Sequence, residues 1–263
     1  KWVPDVAIEN MYARIQSFNA PKYVTMIKRD ELWDNLYREP VDYTDKYKKI
    51  VLFGDLHACY DPLKEYFSAH SEREDYLYIQ LGDMFDRGPQ TQEMGKWLIE
   101  HYNRENWIFL QSNHNMHLTN WVMGRDVRSN VFKFDTMPNL LKVGDVSLWR
   151  NVARKFHQIS HFKFGDNFWF CNHGGIPLMP DKKELPKLAC LEFYKGVGKY
   201  EQIDQVAENW NKNAPNNYYQ AHGHRSFVGT KEFNIGRSYN LNGDIEHHGG
   251  LKVVELCQDN SIT

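Results

Sequence analysis

The sequence predicts an α/β fold in which parallel strands alternate with helices in the first half and further strands follow. From Lys49 onward, short apolar runs that end at glycine or a polar turn alternate with segments of helical periodicity. That alternation is typical of parallel strands joined by crossover helices. The chain has 263 residues, of which 41% are hydrophobic and 25% charged, so it can bury a sizeable globular core.

Three strand–helix pairs make up the regular part of this pattern. The predicted strands are KIVLFGD, DYLYIQLGD and NWIFLQSN. The predicted helices that follow them are DPLKEYFSAH, PQTQEMGKWLIEHY and HNMHLTNWVMG, the second of which opens with proline, as helices often do. We therefore expect a parallel sheet in this part of the chain.

The remaining segments are less regular. Residues 124–165 are irregular, and we expect a helix from Arg150 to His161. Residues 181–213 look helical and charged, whereas DNFWFCNHGG, YYQAHGH, EFNIGRSYNLN and GGLKVVELC read as strands. Residues 1–47 have mixed composition, with IENMYARIQSF as one short amphipathic helix. We expect them to form an N-terminal extension that packs on a main domain of residues 48–263.

Charge, hydropathy and cysteine usage narrow the class of protein. The formal net charge of −2 excludes the broad basic footprint of a non-specific nucleic-acid-binding protein. The sequence has no run of 18 apolar residues and no basic start followed by a long apolar stretch, so we expect neither a membrane span nor a signal peptide. The four cysteines show no CxxC spacing and read as reduced thiols, which predicts an intracellular, cytoplasmic protein.

Residue types that bind metals fall at the ends of predicted strands. They are Asp55 and His57, Asp83 and Asp86, Asn113 and His114, His173, and His222 and His224. In open α/β sheets, sites lie beyond the carboxyl ends of the strands, so we expect these side chains to converge on one face. The other histidines that we considered, His157, His161, His247 and His248, end no strand and are expected on the surface or in packing.

The spacing of these residues indicates a metal site with mixed nitrogen and oxygen ligands. In Asp55-x-His57, a tight loop can present a carboxylate and an imidazole to one cation, and Asp83 has two oxygens that could bridge two cations. Such ligands suit Mn²⁺, iron or Zn²⁺ better than Ca²⁺. Two cations roughly 3.5–4 Å apart can activate a water and clamp both oxygens of a displacement at phosphorus. Arg87 adds a planar cation that can hold phosphate oxygens.

Taken together, the motifs resemble those of a known family. GDLHAC, GDMFDRG, SNHN, NHGG and HGHR, with a late NLNGDIEHHGGLKVVEL, resemble the calcineurin-like metallophosphoesterase superfamily over residues 49–257. Within it, they resemble the phosphoprotein-phosphatase-like branch, which includes Ser/Thr phosphatases, diadenosine tetraphosphate hydrolases and the phosphatase module of bacterial polynucleotide kinase-phosphatases. The resemblance implies two mixed β-sheets packed as a sandwich and flanked by helices. It also implies two divalent metal ions. Mn²⁺ is the first expectation, and iron, Zn²⁺ or Ni²⁺ are the alternatives.

The resemblance also implies a role for each matching residue. Asp55 and His57 would bind the first metal, Asp83 would bridge, and Asn113, His173 and His224 would bind the second metal. His114 would be the general acid, oriented by Asp86, and Arg87 and Asn113 would bind phosphate. The residues alone leave two choices open: His222 or His224 as the last ligand, and His114 or His117 as the acid.

These roles predict a metal-dependent phosphatase that cleaves phosphomonoesters by in-line attack of a metal-bridged hydroxide, with a Ser/Thr phosphoprotein as the first expected substrate. One alternative is a nucleotide or polynucleotide-end phosphatase, because residues 124–165 are locally basic. The other is a weakly active metal-binding module, because the sequence departs from the family motifs at Ala58, Ser112, Asn115 and Asn242. Arg225 is a further candidate for phosphate binding.

Overall fold

The computed structural model describes residues 39–181, 184–185, 188–226 and 234–263. These residues form two β-sheets with helices, as the sequence and the resemblance predicted. The predicted helix IENMYARIQSF and the rest of residues 1–38 lie outside the described part of the chain. Residues 39–47 are described, and they contribute an edge strand, β1 (Val41–Asp42), and the buried ring of Tyr47.

The first sheet has five strands and contains the predicted parallel units. Its strands are β2 (Lys49–Phe53), β3 (Tyr76–Gln80), β4 (Trp107–Leu110), β5 (Phe156–His157) and β11 (Val253–Cys257). The order is β11-β2-β3-β4-β5, and every pair is parallel except β11 with β2. The crossover helices are α1 (Tyr60–Ala69), α2 (Thr91–His101) and α3 (Asn115–Val122), which confirms the three predicted strand–helix pairs.

The second sheet has six strands in the order β1-β6-β7-β8-β10-β9. Its other members are β6 (Ile159–Phe164), β7 (Asn167–Asn172), β8 (Tyr218–His222), β9 (Asn234–Ile235) and β10 (Ser238–Asn240). Strands β7, β8 and β10 run parallel to one another, so the ends of β7 and β8 point to the same edge. Helices α6 (Cys190–Lys195) and α7 (Ile203–Asn213) lie in the connection between β7 and β8.

The segment between α3 and β7 corrects one prediction. It contains a π-helix (Phe132–Thr136), α4 (Met137–Leu141) and α5 (Val146–Ala153). The helix expected from Arg150 to His161 ends at Ala153, and the chain continues as β5 and β6. The reason is long-range pairing, since β6 forms an antiparallel hairpin with β7 through a turn in which Gly165 has φ +60°.

The two hydrophobic cores lie on the two faces of the first sheet. Along β2, Val51 and Phe53 point to the helices, whereas Ile50 and Leu52 belong to a core shared with strands of the second sheet. This alternation follows from the two-residue period of a strand and explains why β2 is apolar at every position after Lys49. In the described part of the chain, every helix is too short or too polar to cross a membrane.

Candidate functional site

The predicted metal-binding residues lie together at the carboxyl ends of strands from both sheets. Loops after β2, β3 and β4 carry Asp55, Asp83 and Asn113, and loops after β7 and β8 carry His173 and His224. Ligand atoms of Asp83, His173 and His224 lie within 4.8 Å of one another, and so do those of His57, Asp83 and His114. Asp83 therefore belongs to both groups, whereas the predicted ligand Asp55 belongs to neither.

The group around His173 has the spacing of ligands that share a cation. Its Nε2 lies 3.0 Å from Asn113 Oδ1 and 3.3 Å from Asp83 Oδ2. Atoms bonded at about 2.1 Å to one ion lie roughly 3.0–3.5 Å apart. The His224 ring centroid is 5.1 Å from that of His173. His173 Nδ1 donates to Leu81 O at 2.8 Å, which leaves Nε2 available to bind a cation.

The group around His57 lies on the other side of Asp83. His57 Nε2 is 3.5 Å from Asp83 Oδ2, and His57 Nδ1 donates to Phe85 O at 3.3 Å. As in His173, a backbone carbonyl therefore holds the imidazole with Nε2 available. Asp55 Oδ2 accepts from the His224 amide at 3.0 Å, and its Oδ1 lies 3.9 Å from His173 Nδ1.

The donor set fits divalent cations because the buried carboxylate of Asp55 is only partly compensated by its neighbours. Oδ1 of Asp55 is buried and has no hydrogen-bond partner among the described residues. Burial, together with the Asp83 carboxylate, raises the pKa of Asp55 to about 7 although His173 opposes that shift. Gly223 leaves room for this oxygen, since a Cβ at position 223 would lie 1.9 Å from it. A cation at this oxygen would restore the ionised form.

Backbone strain is concentrated at this site. Positive φ angles occur at His57 (+42°), Asp83 (+49°) and His224 (+63°), and at the neighbouring Asp86 (+72°) and Arg87 (+75°). Left-handed conformations of non-glycine residues cost about 1–3 kcal/mol each and persist where the surroundings impose them. The loops thus hold the candidate ligands in conformations that an isolated chain would avoid.

His114 and Asp86 form the predicted pair beside Asp83. His114 Nδ1 lies 2.8 Å from Asp86 Oδ2, and the backbone amide of His114 donates to Asp83 Oδ1 at 3.2 Å. Asp86 is fully buried, and its other oxygen accepts from the Thr136 hydroxyl at 2.5 Å. Burial opposes protonation of His114, but Asp83 and Asp86 outweigh it, so the pKa of His114 is raised. This imidazole, with Nδ1 on a carboxylate, is suited to carry a proton on Nε2.

His117 lies next to this pair without joining its hydrogen bonds. Its ring centroid is 5.9 Å from that of His114, and a ligand atom lies within 4.8 Å of those of His114 and Asp86. Burial lowers the pKa of His117. Of the two candidates for the acid, His114 is the one held by a carboxylate.

Arg87 lies at the site but contacts a carboxylate that the sequence analysis did not single out. Its Nη1 is 2.5 Å from Glu246 Oε1, and the same oxygen is 3.5 Å from His57 Nε2. The Glu246 side chain is 3% exposed, and its Oε2 has no hydrogen-bond partner among the described residues. An acidic residue in the late GDIEHH motif was the available signal, although the motif alone does not say which acid faces the site.

The structure places His222 and Arg225 away from the two ligand groups. His222 is buried, its Nδ1 lies 3.0 Å from Gly223 O, and it belongs to none of the ligand groups formed by the described residues. Arg225 is also buried, and its guanidinium donates to four backbone carbonyls instead of facing the site. The suggestion that Arg225 binds phosphate is therefore wrong.

Two departures from the family motifs make hydrogen bonds that hold the site loops. Ser112 Oγ accepts from the amides of Asp83 at 2.8 Å and Asn115 at 3.0 Å. Asn115 Oδ1 accepts from the Met84 amide, and its Nδ2 donates to Leu110 O, both at 3.1 Å. A glutamate could not make the second bond, because an ionised carboxylate has no donor.

The third departure has a steric cost. Ala58 is buried and has φ +56°, in the region that favours glycine. Its amide donates to Met84 O at 2.8 Å, which ties the loop between β2 and α1 to the loop after β3.

Comparison with known proteins agrees with the motifs. A family model described as calcineurin-like phosphoesterase matches residues 48–263. A Caenorhabditis elegans protein named as a serine/threonine-protein phosphatase is 27% identical over 129 residues, which cover 48% of this chain and 26% of the relative. A symmetrical bis(5'-nucleosyl)-tetraphosphatase of Chromobacterium violaceum is 26% identical over 98 residues, covering 36% of this chain and 33% of the relative. The matches thus span about a quarter to a third of these relatives' lengths.

Solved structures share the fold at low sequence identity. A structure described as a diadenosine tetraphosphatase superposes with a TM-score of 0.62 at 16% identity, covering 86% of this chain and 97% of that one. A serine/threonine phosphatase from Saccharomyces cerevisiae has a TM-score of 0.54 at 16% identity, with coverage of 97% and 89%. Because the family model spans most of the chain, this chain belongs to the calcineurin-like phosphoesterase family.

Proposed function

We propose that this chain is a phosphomonoesterase that acts on phosphorylated serine or threonine in proteins. It would use two divalent cations, with Mn²⁺ as the preferred metal. The observation that carries the proposal is the place of Asp83 between two groups of candidate ligands, with the His114–Asp86 pair at its side. Phosphomonoester hydrolysis needs charge compensation at phosphorus and a proton for the leaving oxygen, and these groups supply both.

The chain's own residues have distinct tasks in this proposal. Asp55, His57, Asp83, Asn113, His173 and His224 would hold the two cations. When bound, the cations would activate a water for in-line attack and offset charge on the phosphoryl oxygens. His114 would donate the proton on Nε2 to the leaving oxygen, while Asp86 holds Nδ1. Arg87 would bind a phosphoryl oxygen after exchanging its contact with Glu246 for the substrate.

Two observations favour the active enzyme over the weakly active module. The substituted motif residues Ser112 and Asn115 hold the loops of Asp83 and Met84 through buried hydrogen bonds. The six candidate ligand positions all carry side chains able to bind a metal. Two of the four departures therefore support the loop that carries Asp83 instead of disrupting it.

The choice of substrate rests on the motifs and on charge. The motifs look most like those of phosphoprotein phosphatases, and a relative named for that activity supports this choice. A nucleotide or dinucleoside polyphosphate is the second candidate, supported by the relative named as a tetraphosphatase. The basic segment 124–165 supports it less, since Lys163 pairs with Asp42 at 3.0 Å and the Arg150 Nε donates to Val122 O at 3.0 Å.

The test compares three substrates with the wild-type protein and two aspartate variants in the presence of Mn²⁺. The substrates are a phosphoserine peptide, diadenosine tetraphosphate and a 3′-phosphorylated oligonucleotide. We expect phosphate release from the peptide to be fastest, and Asp83→Asn to lower it by about 10³-fold or more. Asp61→Asn, on the exposed first turn of α1, is the matched control and should retain activity.

Each alternative has its own outcome in this test. Faster cleavage of the tetraphosphate or the oligonucleotide would replace the phosphoprotein with that substrate. Wild-type protein that binds two equivalents of Mn²⁺ but cleaves none of the three would be the metal-binding module. Full activity in Asp83→Asn would refute the assigned site.

A further inference from the structure

Arg225, the residue after candidate ligand His224, crosslinks the loops of the second ligand group. Its side chain is 0% exposed. The guanidinium donates to four backbone carbonyls, those of Gly174 (2.7 Å from Nε), Gly175 (3.1 Å from Nη2), Val197 (2.7 Å from Nη2) and Lys199 (2.7 Å from Nη1). Burying a charged guanidinium is costly when its N–H groups donate to carbonyls alone. The position of Arg225 therefore calls for a structural explanation.

The four carbonyls come from two segments that border the site. Gly174 and Gly175 directly follow His173, and the 196–199 loop directly precedes Tyr200, whose ring centroid lies 5.1 Å from that of His224. Arg225 itself continues the loop of His224. One guanidinium thus connects three stretches of chain, each next to a ring that faces the site.

The surrounding backbone is shaped to admit the guanidinium. A Cβ at Gly196 would lie 2.3 Å from Arg225 Nη2, and a Cβ at Gly174 would lie 1.9 Å from the Gly196 amide nitrogen. Gly196 also has φ +71°. The close approach of these segments therefore depends on glycine at both positions and on the flat shape of the arginine head group.

We propose that Arg225 is a positioning residue that fixes His173 and His224 relative to each other, and with them the site for the second cation. This inference rests on the proposed function, in which both imidazoles bind that cation. Ligand loops that are held in place before binding need not be ordered by the metal, so loss of the crosslink should weaken metal binding. Lysine cannot replace arginine, since a single ammonium cannot reach four carbonyls in a planar fork.

Arg237 provides a matched control for a purely stabilising role. It donates to the carbonyls of Asn211 (2.7 Å), Pro215 and Tyr218 (2.9 Å) around the end of α7. Arg237 is therefore also an arginine that holds backbone carbonyls, but its contact with β8 is at Tyr218, the opposite end of that strand from the loop of His224.

The experiment measures Mn²⁺ binding and amide hydrogen exchange in Arg225→Lys, Arg225→Met and Arg237→Met. Titration of metal-free protein should resolve two binding steps in the wild type. In both Arg225 variants we expect one step to weaken by about tenfold or more while the other stays close to the wild type. Exchange should become faster in residues 173–176 and 196–200. Arg237→Met should lower the melting temperature and speed exchange near 211–218, with both binding steps unchanged.

Several results would overturn the inference. The first is wild-type metal binding in a folded Arg225 variant, and the second is an equal loss of metal binding in Arg237→Met. Arg225→Lys keeps the buried charge and provides the reading if Arg225→Met fails to fold. If the wild-type protein binds no metal, the proposed function fails. In that case amide hydrogen exchange in Arg225→Lys still tests the crosslink. Exchange rates that stay at the wild-type value in residues 173–176 and 196–200 would refute it.

Discussion

Replacing Asp86 with asparagine separates the charge of this carboxylate from its position. Asp86 Oδ2 accepts from His114 Nδ1 at 2.8 Å, and Oδ1 accepts from the Thr136 hydroxyl at 2.5 Å. Asparagine can keep both contacts, since its oxygen can accept from His114 and its amide can donate to the hydroxyl oxygen of Thr136. The imidazole should therefore stay in place while it loses the neighbouring negative charge.

The size of the effect follows from the hydrogen bond that changes. Bonds to charged groups contribute about 1.5–3 kcal/mol and those between neutral groups about 0.5–1.5 kcal/mol, so the substitution costs about 1–1.5 kcal/mol. That is roughly a tenfold loss in a rate limited by proton donation. The pKa of His114 should fall, because Asp86 no longer favours the imidazolium.

Two substrates with different leaving groups provide the assay. A phosphoserine peptide expels an alkoxide that needs a proton, whereas p-nitrophenyl phosphate expels a stabilised phenolate. With Asp86→Asn, we expect kcat on the peptide to fall about tenfold and kcat on the aryl ester to change little. A general acid works below its pKa, so the alkaline fall in kcat should move to lower pH. Equal losses on both substrates, or an unmoved alkaline limb, would refute the role of His114.

Three further changes test other parts of the structure. Burial lowers the pKa of His161 to about 4, below about 6.5 in the unfolded chain, so the unfolded state takes up more protons between these values. Denaturant titrations at about pH 7.5 and 4.5 give the fall in unfolding free energy between the two pH values. We expect this fall to be about 2–3 kcal/mol larger in the wild type than in His161→Phe, and equal falls would contradict the prediction. Ala58→Gly should raise the unfolding free energy by about 0.5–1 kcal/mol, measured in the same way, because it relieves the positive φ; a lower value would count against strain at this position. Glu246→Gln should tighten inhibition by inorganic phosphate about tenfold by freeing Arg87, and weaker inhibition would show that Glu246 helps to orient the arginine.

The parts of the site that the sequence predicted share one physical basis. Asp55, Asp83 and Asn113 follow three apolar strands, and parallel strands must bring their carboxyl ends to one edge. Local composition is sufficient to find such strands, because β2 and β3 are buried on both faces and each has a polar residue at one end only, Lys49 and Gln80. His173 follows from the same reasoning applied to β7 in the second sheet.

The parts that the sequence did not predict depend on contacts between distant segments. Thr136 reaches Asp86 from a π-helix 50 residues away, and no motif marks that helix. The sequence suggested Arg225 as a phosphate-binding residue, and its buried position became evident only from the four carbonyls around it. The helix predicted through His161 was wrong for the same reason, because pairing with β7 outweighs the helical propensity of the segment.

Backbone hydrogen bonds explain how the strained loops at the site are maintained. The Asp83 carbonyl accepts from the amides of Leu56 (3.0 Å) and His57 (2.7 Å), and the His57 carbonyl accepts from Gly88 (2.8 Å). The loops after β2 and β3 therefore hold each other through buried main-chain bonds that do not involve the candidate ligand atoms. Such bonds can offset the left-handed conformations of His57 and Asp83. Strain imposed in this way keeps the carboxylate and the imidazole facing each other before any cation binds, which lowers the ordering cost of binding.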